Sequence, residues 1–231
     1  QRLESLYLGQ FALATEDIQN IGELPNLIEL TLKYCGKSAE GLAEAYAAIG
    51  KQFPNLRKLY LTSKTGVETD ILVMEGLAPC RNLRQVTLNC SWPRRVTSTA
   101  IQRLAPLWPQ LEELAFDATN PSWGHSRTHI KILQDLALAW SETLDMISLG
   151  FDAGGKLPRP SAAVKGRFKK LNRIWVDYSN LPKNRIFPVA EFIASLCTKT
   201  PRMSAPDSEE IQDNWDAVEE RVARIIHSRE T

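Results

Sequence analysis

Apolar residues recur along this chain in one short figure. Leucines at 27, 30 and 32 in "LPNLIELTLKYCG" have the spacing L-x-x-L-x-L, and conservative versions of it return throughout. The copies are Leu3-Leu6-Leu8, Leu27-Leu30-Leu32, Leu56-Leu59-Leu61, Leu83-Val86-Leu88, Leu111-Leu114-Phe116, Leu144-Ile147-Leu149 and Leu171-Ile174-Val176, with first residues 24 to 33 apart. In each copy the last two apolar residues are two apart, the period of a strand with one buried face, while the first packs where the chain comes into the strand. One such strand cannot bury its leucines alone. The copies must stack, each strand parallel to the next, around one continuous core.

Between strands the apolar period lengthens to that of a helix. Leu42, Ala45, Tyr46, Ile49 and Phe53 follow the second strand, Ile101, Leu104, Ala105 and Trp108 the fourth, and Ile130, Leu133, Ala137 and Trp140 the fifth. Ser38, Asp70, Ser98 and Thr128 stand where helix N-caps are expected. The sixth connection, "FDAGGKLPRPSAAVKGRF", predicts no more than a short turn near residues 161 to 168. Helices pack ~8–10 Å apart and paired strands ~4.8 Å, so the stack bends. The expected fold is an α/β solenoid arc, with seven parallel strands on its concave face and helices on its convex face.

Val189, Phe192, Ile193 and Leu196 complete the seventh unit, giving a repeat domain over residues 1–200. Residues 201–231 read as a linker and a helix from about 208 to 227, striped by Ile211, Trp215, Val218, Val222, Ile225 and Ile226. Such a stripe suits a terminal cap over the last repeat; a helix that docks in a partner's groove is the other reading. Leu3 opens the first copy with nothing before it, which predicts that the parent protein continues upstream.

Composition narrows the function. The chain is 43% hydrophobic, but no run approaches the ~18 apolar residues of a membrane span, and "QRLESLYLGQ" lacks the pattern of a signal peptide. Lys and Arg number 28 against 27 acids, so charge offers no case for nucleic acid or an anionic membrane. Cys35, Cys80, Cys90 and Cys197 lie far apart without a CxxC pair, as suits buried thiols in a reducing, intracellular compartment.

Candidate chemistry is thin. "GFDAGGK", residues 150 to 156, matches G-x-x-x-x-G-K, but Leu157 and Pro158 follow where a phosphate loop needs Ser or Thr and a helix. His125 and His129 share a helical spacing, yet no third ligand has a fixed relation to them. There is no G-x-S-x-G elbow and no cysteine with a histidine at a family spacing. The expectation is a protein that is no enzyme and carries no cofactor or metal.

The repeats resemble the leucine-rich repeat superfamily of ribonuclease-inhibitor-like shape over residues 1 to about 200. "FPNLRKLYL" and "WPQLEELAF" look most like the repeat region of fungal F-box proteins. That resemblance implies the substrate-recognition region of an F-box (SCF) ubiquitin ligase, with the adaptor bound through an upstream F-box that this chain does not contain. A repeat scaffold or sensor unrelated to ubiquitin is an alternative. A GTPase-regulating repeat domain, acting through Arg94 or Arg95, is another.

In L-x-x-L-x-L the residue between the last two apolar positions points away from the core. The concave centre should therefore carry Tyr7, Thr31, Tyr60, Thr87, Ala115, Ser148 and Trp175. Ser5, Glu29, Lys58, Gln85, Glu113, Met146 and Arg173 would flank it on one side, and Gly9, Lys33, Thr62, Asn89, Asp117, Gly150 and Asp177 on the other. Mixed charge with aromatic anchors suits a protein partner. Tyr7, Tyr60, Arg173, Trp175 and Tyr178 are the candidates on this face, and Trp92, Arg94, Arg95 and Trp123 form a second group on the loop rim.

Overall fold

The computed structural model describes residues 3–36, 38–63, 70–90, 96–118, 128–157, 166–177, 179, 181–205, 209–229 and 231. Strands β1 (Ser5–Leu13), β2 (Glu29–Tyr34), β3 (Lys58–Ser63), β4 (Gln85–Cys90), β5 (Glu113–Ala118), β6 (Met146–Ser148), β7 (Arg173–Trp175) and β8 (Arg202–Ser204) form one open sheet. They follow one another in sequence order and all pair in parallel. Helices α1 (Thr15–Asn20), α2 (Ala39–Gln52), α3 (Ser98–Leu104), α4 (Ile132–Trp140), α5 (Ile186–Leu196) and α6 (Glu209–His227) line the buried face, with a 3-10 helix at Ile71–Leu77 between α2 and α3. The arrangement is compatible with a solenoid-like arc.

The sheet has eight strands, not the expected seven. The extra one, β8, lies in the stretch read as a linker, because it keeps only Met203 as a core residue and follows Pro201. The repeat period does reach it, since Arg202 comes 29 residues after Arg173.

Register explains the leucines. Leu30, Leu59, Val86, Leu114, Ile147, Ile174 and Met203 are successive cross-strand partners, and all are buried. Leu32, Leu61, Leu88 and Phe116 form a second buried row beside them. Each such side chain contributes about 1.5–3 kcal/mol of burial free energy. The first copy departs from the rule: Leu6 and Leu8 are half-buried and Leu3 is 46% exposed, because β1 has a neighbour on one side only among the described residues.

One backbone contact is repeated at each of the first six steps. The carbonyl of Glu4 accepts from the N–H groups of both Ile28 and Glu29, at 2.8 and 2.9 Å. The carbonyls of Ile28, Arg57, Arg84, Glu112 and Asp145 each accept two N–H groups of the next unit in the same way. At the last step Asn172 receives only the Arg202 N–H, because Pro201 has none to give. Buried side chains add cross-unit bonds: Trp140 Nε1 donates to the Trp108 carbonyl at 2.8 Å and Cys80 Sγ to that of Phe53 at 3.3 Å.

The caps divide. Ser38 accepts from the Gly41 N–H at 3.0 Å, and Asp70 caps the 3-10 helix through the Leu72 N–H. Thr97, rather than Ser98, caps α3; the Ser98 hydroxyl instead reaches Asp135 at 2.7 Å. Thr128 caps no helix, since α4 begins at Ile132, and its hydroxyl accepts the Val96 N–H and so joins neighbouring units.

At the far end α6 packs on α5 and β8, burying Trp215, Val218, Val222 and Ile226. Trp215 Nε1 donates to the Ser179 carbonyl at 2.9 Å, and Asn214 to that of Leu181 at 3.0 Å. The same helix meets the outer edge of the sheet: Glu219 accepts the Met203 N–H at 2.6 Å and Gln212 the Ala205 N–H at 2.8 Å. A strand edge that would otherwise recruit another strand is thus closed by side chains. Among the described residues no helix is long and apolar enough to cross a membrane.

Candidate functional site

Strand pairing sets the face opposite the helices. Tyr7, Thr31, Tyr60, Thr87, Ala115, Ser148 and Trp175 are partners in unbroken succession, so the expected central column exists, and β8 extends it to Ser204. Tyr7 is 66% exposed, Tyr60 39% and Trp175 38%, whereas Ala115 and Ser148 are buried. The anchors therefore form two groups. Tyr60 and Trp175 stand four strands apart, roughly 19 Å at the usual strand spacing.

Tyr7 lies over Gly9, where an added Cβ would come within 2.9 Å of its hydroxyl. The β1 register then shifts between Leu8 and Ala12, so Ala12, not Gly9, stands beside Lys33. An edge strand with a glycine can bulge in this way because only one neighbour holds it.

The flanking column carries the charge. Glu29 and Lys58 are paired at 2.7 Å, which raises the Lys58 pKa, and Gln85 donates to Glu113 at 3.0 Å. Burial, then Asp145 and Glu112, push the Glu113 carboxyl above its ordinary range. Arg173 follows Met146 in register, and β8 sets Arg202 directly beside Arg173. Both arginines are exposed, and neither has an ion-pair partner among the described residues.

On the opposite flank Asp177 does not belong to the exposed face. It is buried, with φ 46, because β7 ends at Trp175 and the chain turns sharply toward Ser179. Gly150 likewise lies past the end of β6. Tyr178, Trp92, Arg94, Arg95, Trp123 and His125 lie outside the described residues, as does the side chain of Asp117.

The "GFDAGGK" loop fastens the chain to itself. Asp152 accepts the Gly154 N–H at 2.8 Å, while Arg185 donates to the carbonyls of Ala153, at 3.1 Å, and Gly155. Loop carbonyls directed at a guanidinium are the reverse of a phosphate-binding turn, which presents N–H groups. Gly155 is needed for close approach, since a Cβ there would sit 2.2 Å from His129 Nε2. His129 Nδ1 accepts the Lys131 N–H at 3.1 Å, which assigns the neutral ring's proton to the buried Nε2. Burial and Lys131 hold its pKa below the ordinary value. Among the described residues no group of three or more His, Cys, Asp or Glu could hold a metal ion.

Arg202 and Ser204 are the surface residues that the sequence pattern missed; the repeat period was the signal that could have found them. No protein-family model matches this chain, and no curated protein matches it.

Proposed function

We propose that the chain is a leucine-rich repeat arc whose open, concave face holds a protein target, as the substrate-recognition region of an F-box-type ubiquitin ligase. The observation that carries the reading is the unbroken register, which sets side chains of successive strands in one column on the face opposite the helices, exposed at the anchors Tyr7, Tyr60 and Trp175. A surface held by a hydrogen-bonded sheet is preorganised, so binding loses little conformational entropy. Large aromatic residues and arginine dominate interface energetics, and both occur here. The F-box assignment within this class rests on the turn sequences "FPNLRKLYL" and "WPQLEELAF".

The mechanism is positioning: the arc holds a target while a separate catalytic subunit transfers ubiquitin, so the chain itself is no enzyme and needs no cofactor. Free thiols at Cys35, Cys80 and Cys197 suit a reducing, intracellular setting. The test is to isolate the full-length parent from its own cells and identify co-purifying proteins by mass spectrometry. Adaptor and cullin should be present and should be lost when the segment upstream of residue 1 is deleted. Their absence would move the function to a repeat scaffold or sensor.

A further inference from the structure

The geometry points to a specific occupant for the β7–β8 end of the open face: a carboxylate-rich, extended segment of a protein partner, gripped by Arg173 and Arg202 with an apolar residue against Trp175. The inference rests on the reading of this face as a partner surface and names the chemistry it selects.

Along the flanking column from β2 to β5, Glu29 is paired with Lys58, and Glu113 accepts from the neutral Gln85 amide and keeps its negative charge. Beyond β5 the column carries only positive charge. Arg173 has Met146 on one side and Arg202 on the other, and like charges directly opposite on neighbouring strands repel. The nearest carboxylate of that column, Glu113, is two strands away and occupied by Gln85. Asp145, just before β6, and Lys199 both bond the neutral Asn172 side chain, so this neighbourhood adds no net charge to the arginine pair.

No additional strand can neutralise the pair at its outer side. The outward N–H groups of Met203 in β8 and of Ala205 just after it are already taken by Glu219 and Gln212 of α6, so the two guanidiniums stand on a closed end of the sheet. Trp175 is the next outward-facing residue along β7, one strand step from Ser204, and is part exposed. Two arginines rooted about 5 Å apart can each meet one carboxylate of an extended segment, whose same-side residues are about 6.8 Å apart. Single charge-assisted contacts of this kind are the strong class of hydrogen bond.

The test is fluorescence anisotropy with the whole chain and a fluorescein-labelled peptide of alternating Glu and Leu, with its Gln and Leu counterpart as control. The Glu peptide should bind; Arg173→Gln and Arg202→Gln should each weaken it roughly tenfold, and Trp175→Ala severalfold, with unchanged circular dichroism. Free glutamate peptide should displace the label and inorganic phosphate should not. Equal binding of the Gln peptide, indifference to both arginine variants, or displacement by phosphate alone would overturn the proposal. Binding through the two arginines without adaptor and cullin in the parent complex would sink the ligase reading and leave this surface standing. Co-purification with an arginine-independent peptide would do the reverse.

Discussion

Helix α6 is expected to hold the end of the sheet together, and Trp215 is where that can be measured. Its side chain is fully buried, and its indole N–H bonds the carbonyl of Ser179 in the turn that follows β7. Trp215→Phe keeps most of the apolar volume but leaves that carbonyl unsatisfied, a loss of about 1–3 kcal/mol. Trp215→Ala adds a cavity, for a total of about 3–5 kcal/mol, a large share of the roughly 5–15 kcal/mol that holds a typical domain. In urea unfolding followed by circular dichroism, with m near 2 kcal/mol/M, the alanine variant should lose about 1.5–2.5 M in midpoint and the phenylalanine variant about 0.5–1.5 M. Amide exchange should quicken at Met203 and Ala205, whose N–H groups depend on the same helix. An alanine variant within about 0.5 kcal/mol of the parent, with both amides still protected, would refute the idea that α6 secures this end.

Three further outcomes are expected. Burial pushes the Cys80 and Cys197 thiols up to about 12, so in the native chain an alkylating reagent should mark exposed Cys35 quickly and those two only on unfolding, as peptide mapping would show. The His129 pKa is lowered by burial and by Lys131 and Arg185, against a smaller opposing effect of Asp152, so the unfolded chain takes up a proton first as pH falls through about 6.5. Stability should therefore fall between pH 7 and 5, and His129→Gln should flatten that slope in a melting series. For Glu113 the raised pKa means that ionisation opposes folding, so Glu113→Gln should melt higher than the parent at pH 7. That advantage should vanish as pH falls below the ordinary carboxylate range, where the parent side chain is protonated in both states.

Where apolar residues repeat, the sequence was easily read. The spacing of Leu27, Leu30 and Leu32 and its copies predicted the strands, their parallel order and the column from Tyr7 to Trp175, because a period of two and a common phase leave little freedom in register. It failed where one residue carries a strand alone. Met203 has no leucine before it, so β8 and the neighbouring pair of arginines passed for a linker. The β1 bulge also escaped, since an edge strand with Gly9 obeys its single neighbour rather than an alternating pattern. Asp177 was assigned to the surface by counting two residues past Trp175, but the short strand had already ended and the chain had turned inward. Ser98 and Thr97 are both competent caps by residue type, and only the backbone shows which hydroxyl reaches the Ala100 N–H.

Each unit receives the next by offering one carbonyl to two N–H groups, a joint that takes no part in side-chain identity and is the same from Glu4 to Asp145. Such a joint makes the chain lengthenable by gene duplication: a copied unit inserted between β2 and β5 finds an acceptor behind it and supplies one ahead, whatever its surface residues. The last unit has given up that property. Pro201 takes only part of the joint, and Glu219 and Gln212 occupy the edge where a newcomer would bind. A copied unit can therefore be accommodated within the array but not between β8 and α6, so the geometry that sets Arg202 beside Arg173 is fixed while the number of strands before it is not.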